Sequence, residues 1–366
     1  MSVAFLATSA LGGSLCPSRS EIYPCTCANI HIHRKNIITI VSCYRLENTD
    51  ALESIFPFLR TMEIDRFYLY DSFWEANMLG AAGESQKVLP TDWLTLLNIK
   101  EVEIVDSALS SCFACQWRIN CRNIVTTSFK ITNSSSSERI CSLCEVGRGN
   151  KHPWTGCMSK LKDFHFNYGK LISFGIDFFP MAMRELINLD LSYNQIVKVD
   201  SNALKNTPNL QKLDLSHNAI EFFDHMFSNQ GIPLQYLDVS YNLIKTVGAD
   251  LLPSLPLLKT LKARNNGIVD LKLNEWEKIP DHLRVIDLEN NPLNCDCNIR
   301  WINSTFKVHM ELSGTCSTPS DYNGSQVRKA SRMVMDRCDS SGVMGTRKPS
   351  SKRSMERRRR KQSHRE

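Results

Sequence analysis

Five asparagines, Asn194, Asn218, Asn242, Asn266 and Asn291, follow one another at intervals of 24, 24, 24 and 25 residues. Each closes the same phrase. Leu186, Leu189, Leu191, Asn194 and Ile196 stand at fixed offsets. The same offsets hold Leu210, Leu213, Leu215, Asn218 and Ile220, then Leu234, Leu237, Val239, Asn242 and Ile244. Two more copies are Leu258, Leu261, Ala263, Asn266, Ile268 and Leu283, Ile286, Leu288, Asn291, Leu293. A unit of this length cannot bury an apolar face by itself, so successive units must stack and share one continuous core.

The period and wording are those of a leucine-rich repeat. The expected fold class is an α/β solenoid: a leucine-rich-repeat horseshoe with a parallel concave β-sheet and disulfide-stapled caps. The Leu-x-Leu step is a short strand with alternating faces, leucines inward and the residues between them on the concave surface. The ladder asparagine sits where the chain leaves the strand. Its amide both donates and accepts, so it can satisfy buried backbone of neighbouring turns. An aliphatic residue there would orphan those groups at roughly 1–3 kcal/mol each.

Upstream the phrase degrades. Leu161, Phe164, Phe166 and Leu171 fit, with Gly169 in the asparagine place. Ile99, Val102, Ile104, Ser107 and Ile64, Phe67, Leu69, Ser72 fit as earlier turns, and Thr126, Phe129, Ile131, Ser134 is the weakest. The solenoid is therefore expected over 60–293, with an irregular cysteine-rich stretch at 110–160. Residues 16–59 read as an N-terminal cysteine cap and lead-in, and 294–338 as a C-terminal cysteine cap.

Fourteen cysteines are an even count, clustered towards both ends. Cys16, Cys25, Cys27 and Cys43 precede the repeats; Cys295, Cys297, Cys316 and Cys338 follow them. Each set allows three pairings. Cys25–Cys27 and Cys295–Cys297 would be strained. The middle six, Cys112, Cys115, Cys121, Cys141, Cys144 and Cys157, contain two C-x-x-C pairs, a spacing that zinc sites share. Beside two cysteine caps they read as disulfides, in a chain with no expected metal or other cofactor. Asn133, Asn303 and Asn323 open N-x-S/T sequons, and with the caps they point to an oxidising, secretory compartment. Residues 1–15 read as a signal peptide, although its positive n-region is missing. No apolar run is long enough to span a bilayer.

The net charge of +6 misleads. Ten Lys and Arg in 339–366 stand against Asp339, Glu356 and Glu366, which makes that segment +7 and leaves the remainder at −1. Residues 339–366 read as a disordered basic tail. Arg357–Lys361 could contact a polyanion, but nucleic-acid binding conflicts with the caps and sequons.

The phase of the repeat defines two columns on the concave side. One contains His165, Asp190, Asp214, Asp238, Lys262 and Asp287. The other, at the strand edge, contains Tyr168, Tyr193, His217, Tyr241, Asn265 and Asn290. Rigid aromatics beside carboxylates suit a protein or glycan partner. The competing reading is that Leu-Asp-Leu-Ser-x-Asn is ordinary repeat wording, with the aspartates serving solubility and strand-edge hydrogen bonds. No catalytic set is present: histidines are scattered, and no Gly-x-Ser-x-Gly, His-Glu-x-x-His or phosphate-binding loop occurs. Asn133 falls on the concave edge in this phase. A glycan there would obstruct binding, so the run Ser134–Ser137 suggests that residue 133 lies on an insertion loop.

Asn291-Pro-Leu-Asn-Cys295-Asp-Cys297-Asn-Ile-Arg-Trp301, followed by Cys316 and Cys338, resembles the C-terminal cap of extracellular leucine-rich-repeat proteins. That resemblance implies Cys295–Cys316 and Cys297–Cys338 pairs, with Trp301 packed on the last repeat. The block Cys16–Cys27 with Cys43 resembles the matching N-terminal cap and implies Cys16–Cys27 and Cys25–Cys43. The same block is similar to secreted arthropod proteins related to the non-catalytic subunit of oplophorus-luciferin 2-monooxygenase. This implies a secreted, non-enzymatic binding or scaffold subunit, alternatively one that stabilises a secreted enzyme.

Overall fold

The structure, a computed structural model, describes residues 15–33, 36–73, 93–108, 124–134, 158–179, 182–222, 227, 231–248, 251–276, 279–305 and 310–342. Twelve strands form one sheet in sequence order. They are β1 (Thr26–His33), β2 (Asn36–Tyr44), β3 (Glu63–Tyr70), β4 (Asn98–Val105), β5 (Ser128–Thr132) and β6 (Asp163–Asn167). The regular half adds β7 (Asn188–Asp190), β8 (Lys212–Asp214), β9 (Tyr236–Asp238), β10 (Thr260–Lys262), β11 (Val285–Asp287) and β12 (Glu311–Ser313). β1 and β2 form an antiparallel hairpin, and every later pair is parallel. Parallel neighbours need a crossover, and each repeat supplies one on the convex side. Register aligns the repeats: Leu189, Leu213, Leu237, Leu261 and Ile286 sit side by side, all buried.

The asparagine ladder is built as its chemistry requires. Asn242 Oδ1 accepts from the Ile220 N–H at 3.0 Å, and its Nδ2 donates to the Leu215, Val239 and Ser240 carbonyls. Asn218 and Asn266 repeat the arrangement one turn either side. Asn194 and Asn291 end the ladder in the same way. Gly169 stands in the asparagine place because no side chain fits there. A Cβ would lie 2.4 Å from the Phe166 ring and 2.6 Å from Asn194 Oδ1.

In the N-terminal half, serines take over. Ser72, Ser107 and Ser134 each accept a backbone N–H from the preceding turn, at Leu46, Ser72 and Ser107. Each hydroxyl donates to a carbonyl two residues back. A hydroxyl reaches fewer groups than an amide, and here the backbone between strands supplies the rest. The core is also bulkier in this half. Phe164 and Phe174 meet Phe178 and Phe179 edge to face, the arrangement ring quadrupoles favour.

Two expectations need correction. β5 pairs with both neighbours along its length, so the weakest repeat is a regular turn. Asn133 follows it directly, with φ of 46° and its N–H on the Asn167 carbonyl, as at the same place in other turns. It lies on the concave rim and not on an insertion loop, because Ser134 is a ladder residue. The C-terminal boundary also moves: the helix Val327–Gly342 runs past residue 338, so the chain remains structured to 342.

The caps close as the resemblance implied. Cys16–Cys27, Cys25–Cys43, Cys295–Cys316 and Cys297–Cys338 are bonded. Trp301 is buried, its indole N–H donating to the Leu271 carbonyl at 2.9 Å and its ring lying 6.5 Å from that of Trp276. The six middle cysteines, residues 1–14 and residues 343–366, with Arg357–Lys361, lie outside the described residues. So the signal-peptide, middle-disulfide and polyanion expectations stand as sequence readings.

Candidate concave-face site

The strand-edge column is set by backbone conformation. Tyr168, Tyr193, His217 and Tyr241 all have φ between 53° and 57°. Left-handed backbone costs a non-glycine residue roughly 1–2 kcal/mol. Here it turns the chain off the strand while the amide stays paired: the Tyr193, His217 and Tyr241 N–H groups donate to the Ser216, Ser240 and Arg264 carbonyls. The same conformation at every turn throws the side chains the same way.

The result is a ribbon of four stacked rings. Tyr168 and Tyr193 are 4.2 Å apart between centroids, Tyr193 and His217 4.0 Å, and His217 and Tyr241 4.1 Å, with planes within 12°. The three tyrosines remain 39–51% exposed. A hydrogen bond with Tyr168, with a smaller contribution from burial, raises the Tyr193 phenol above its ordinary pKa. Asn265 and Asn290 continue the column without rings, linked by a 3.2 Å hydrogen bond.

The aspartate column carries both roles weighed from the sequence. One oxygen is structural: Oδ1 of Asp190, Asp214, Asp238 and Asp287 accepts from the N–H two residues on, at 2.9–3.1 Å. The other oxygens differ. Asp190 Oδ2 faces His165 Nδ1 at 3.3 Å, and Asp238 Oδ2 accepts from the Tyr236 hydroxyl at 2.9 Å. Lys262 Nζ is 3.8 Å from the same Asp238 oxygen, and Arg264 Nε is 3.6 Å from Asp287 Oδ2. Asp214 sits between two carboxylates.

These surroundings push the acids apart. Burial raises the Asp190 pKa, but hydrogen bonds from His165 and Ser192 outweigh it and hold the group below the ordinary value. Burial pushes Asp214 up, and repulsion from Asp238 and Asp190 adds to it against the Ser216 hydrogen bonds. A carboxyl with a raised folded pKa favours folding below its unfolded pKa, and that contribution is lost as pH rises through the folded one. Asp214→Asn keeps the Oδ1 acceptor and removes the charge. It is expected to raise the melting temperature at neutral pH, a gain that vanishes on acidification. A depressed pKa has the opposite sign: its stabilisation exists above the unfolded pKa and is lost as pH falls through the folded one. Asp190→Asn should therefore lower the melting temperature at neutral pH and approach wild type in acid. Melting curves from neutral to acid pH check both, and equal shifts for the two variants would contradict the assignment.

Tyr236 lies outside the two columns, although alternation carried two residues back along the strand reaches it. Lys212 and Lys262 flank its ring, 5.1 and 5.3 Å from the centroid, a cation–π arrangement. Burial, then the Asp238 charge, raises the phenol pKa. At the N-terminal end Tyr44, Tyr68 and Tyr70 form a second aromatic group, with Tyr44 and Tyr70 stacked at 5.2 Å. Burial and Glu103 push Tyr70 up to about 12. Their period is irregular, so repeat phase alone does not single them out. Among the predicted glycosylation sites, Asn303 and Asn323 are exposed on the C-terminal cap. Asn133 donates to Asp106 Oδ1 at 2.5 Å on the rim.

No group of three or more potential metal ligands occurs among the described residues, and no described helix is long and apolar enough to cross a membrane. Four cap disulfides belong to a chain folded in an oxidising, extracellular-type compartment.

Comparison with known proteins agrees with this architecture. The leucine rich repeat family matches residues 184–230. Leucine-rich repeat-containing protein 3 of Danio rerio is 28% identical over 161 residues, covering 44% of this chain and 50% of that protein. Tsukushi of Gallus gallus is 30% identical over 171 residues, covering 44% of each. The chain thus spans about half the length of the curated relatives it matches. In structure it is similar to a chain of the octameric complex of Latrophilin 3, Unc5D and FLRT2 (LRR), with a TM-score of 0.52 and 17% identity. The match covers 82% of this chain and 90% of that one. A chain of the TLR13–ssRNA13 complex gives a TM-score of 0.50 at 18% identity, covering 66% of this chain and 31% of that one.

Proposed function

We propose that this leucine-rich-repeat protein, with its disulfide-bonded caps, is a secreted, non-enzymatic binding protein that holds a protein or glycan partner on its concave face. The observation that carries this reading is the ring ribbon Tyr168–Tyr193–His217–Tyr241 running beside Asp190, Asp214 and Asp238. The rings restrain one another, so little side-chain entropy remains to be lost on contact, and their edges stay exposed. Asp214 offers a carboxylate to a donor from the partner.

The test uses the full chain as bait for secreted proteins and glycans. A captured partner should be lost on Tyr193→Ala, Asp214→Asn and Tyr241→Ala together. Central aromatic contacts are worth about 2 kcal/mol or more each, so affinity should fall at least about 100-fold. Unchanged affinity in the triple variant would move the site elsewhere.

The N-terminal cysteine block, similar to that of arthropod non-catalytic subunits, supports a second reading: the concave face steadies a secreted enzyme chain. Co-purification with such a chain from the native source favours it, and isolation without one counts against it.

A further inference from the structure

Beyond the asparagine ladder the chain presents another exposed face. Ile196, Ile220, Ile244 and Ile268, two residues after each ladder asparagine, are buried. Extended backbone alternates, so the residues on either side of each point outward. Neighbouring turns are held there in one register: the Ala219, Leu243 and Gly267 N–H groups donate to the Ile196, Ile220 and Ile244 carbonyls at 2.8–2.9 Å. Two columns result, advancing one turn at each step. One reads Gln195, Ala219, Leu243, Gly267, and the other Val197, Glu221, Lys245, Val269.

Both columns leave apolar side chains in water. Leu243 is 52% exposed, Val197 51% and Val269 42%. An exposed apolar patch with polar neighbours marks an interaction surface. Glu221 and Lys245 occupy equivalent places on adjacent turns, and among the described residues neither makes an ion pair. Their column reads the same in kind from either end: aliphatic, charged, oppositely charged, aliphatic.

We infer that a second copy of this chain docks on this lateral face, about a two-fold axis that lies across the solenoid between the turns of Asn218 and Asn242. Such an axis sets the same columns of the two copies face to face and antiparallel, an isologous interface. Glu221 then meets the copy's Lys245, twice over by symmetry, and Val197 meets the copy's Val269. In the other column Leu243 meets Ala219 and Gln195 meets Gly267, so each long side chain faces a short one. The pairing is specific to that axis. An axis through the turn of Asn218 would oppose the two copies of Glu221, and one through the turn of Asn242 the two copies of Lys245. Like charges face to face are costly. The two columns follow the ladder whereas the ring ribbon precedes it, and the inference does not rest on the concave-face reading.

The full chain should sediment at twice its chain mass at high concentration and dissociate on dilution. Glu221→Lys sets Lys against Lys in both symmetric contacts, and Lys245→Glu sets Glu against Glu. Each variant alone should dissociate at least about tenfold more readily than wild type, because two attractive pairs become repulsive. Both side chains reach solvent, so both variants should keep the wild-type melting curve. Mixed in equal amounts, the two variants should regain the dimer, since every contact then sets a Lys against a Glu. A monomer at every concentration overturns the proposal, as does a dimer that either single variant leaves intact. So does a mixture that stays monomeric.

Discussion

Asn242→Ala is expected to cost about 3–5 kcal/mol of unfolding free energy, from about 1–3 kcal/mol for each buried group left unsatisfied. The alanine methyl can neither accept from the Ile220 N–H nor donate to the Leu215, Val239 and Ser240 carbonyls. Asn242 is 6% exposed, so water reaches these groups poorly. The N–H dominates the cost because it has one hydrogen, whereas a carbonyl has two lone pairs and is more easily satisfied elsewhere. Denaturant unfolding measures the loss, and hydrogen exchange should show local opening at Ile220 before global unfolding. Asn209→Ala is the control: its amide donates to the Arg184 carbonyl at an exposed site and should cost well under about 1 kcal/mol. Equal losses at the two positions would remove the ladder from the stability account.

Replacing Cys297 and Cys338 together by serine should cost about 4 kcal/mol. The bond closes a sequence separation of 41, and loop-closure entropy for a loop of that size is of this order. The bond also ties the helix Val327–Gly342 to the turn Cys297–Ile299. That helix packs Val327, Ala330 and Val334 into the core beneath β12. The variant should therefore expose the end of the solenoid and release its C-terminal turns first, because repeats are stabilised by nearest neighbours. Limited proteolysis distinguishes this from uniform destabilisation: early cuts should fall C-terminal to residue 293, and cuts scattered over the repeats would contradict it.

The regular half of the molecule was legible because one spacing serves two physical demands. Leu189, Leu213 and Leu237 must share a core at the rise of one strand per turn, and Asn218 and Asn242 must reach the turns on both sides. The N-terminal half was harder to read, since Ser72, Ser107 and Ser134 meet the same backbone demand with a residue common in loops. Asn133 illustrates the consequence: Ser134 looks like the start of a loop but is a ladder residue.

The site divides along the same line. Repeat phase placed Tyr168, Tyr193, His217 and Tyr241 in one column, because positions one period apart occupy equivalent places on adjacent strands. It could not show that their rings stack at 4.0–4.2 Å, which depends on a shared left-handed backbone and on the rise between turns. Nor could it separate Asp190 from Asp214, identical in repeat position but opposite in pKa direction. That difference comes from His165 on the strand before Asp190 and from carboxylates on both sides of Asp214.

What the sequence determined by itself is the repeat: its length, its inward residues, its ladder and its cysteine caps. All of these follow from local periodicity and from backbone groups that must be paired within a turn or between adjacent turns. Only the tertiary structure decided how neighbouring turns divide the work, which carboxylate is paired and which rings touch. Those properties depend on contacts between residues one or more periods apart, and a one-dimensional pattern aligns such residues without stating the distance between them.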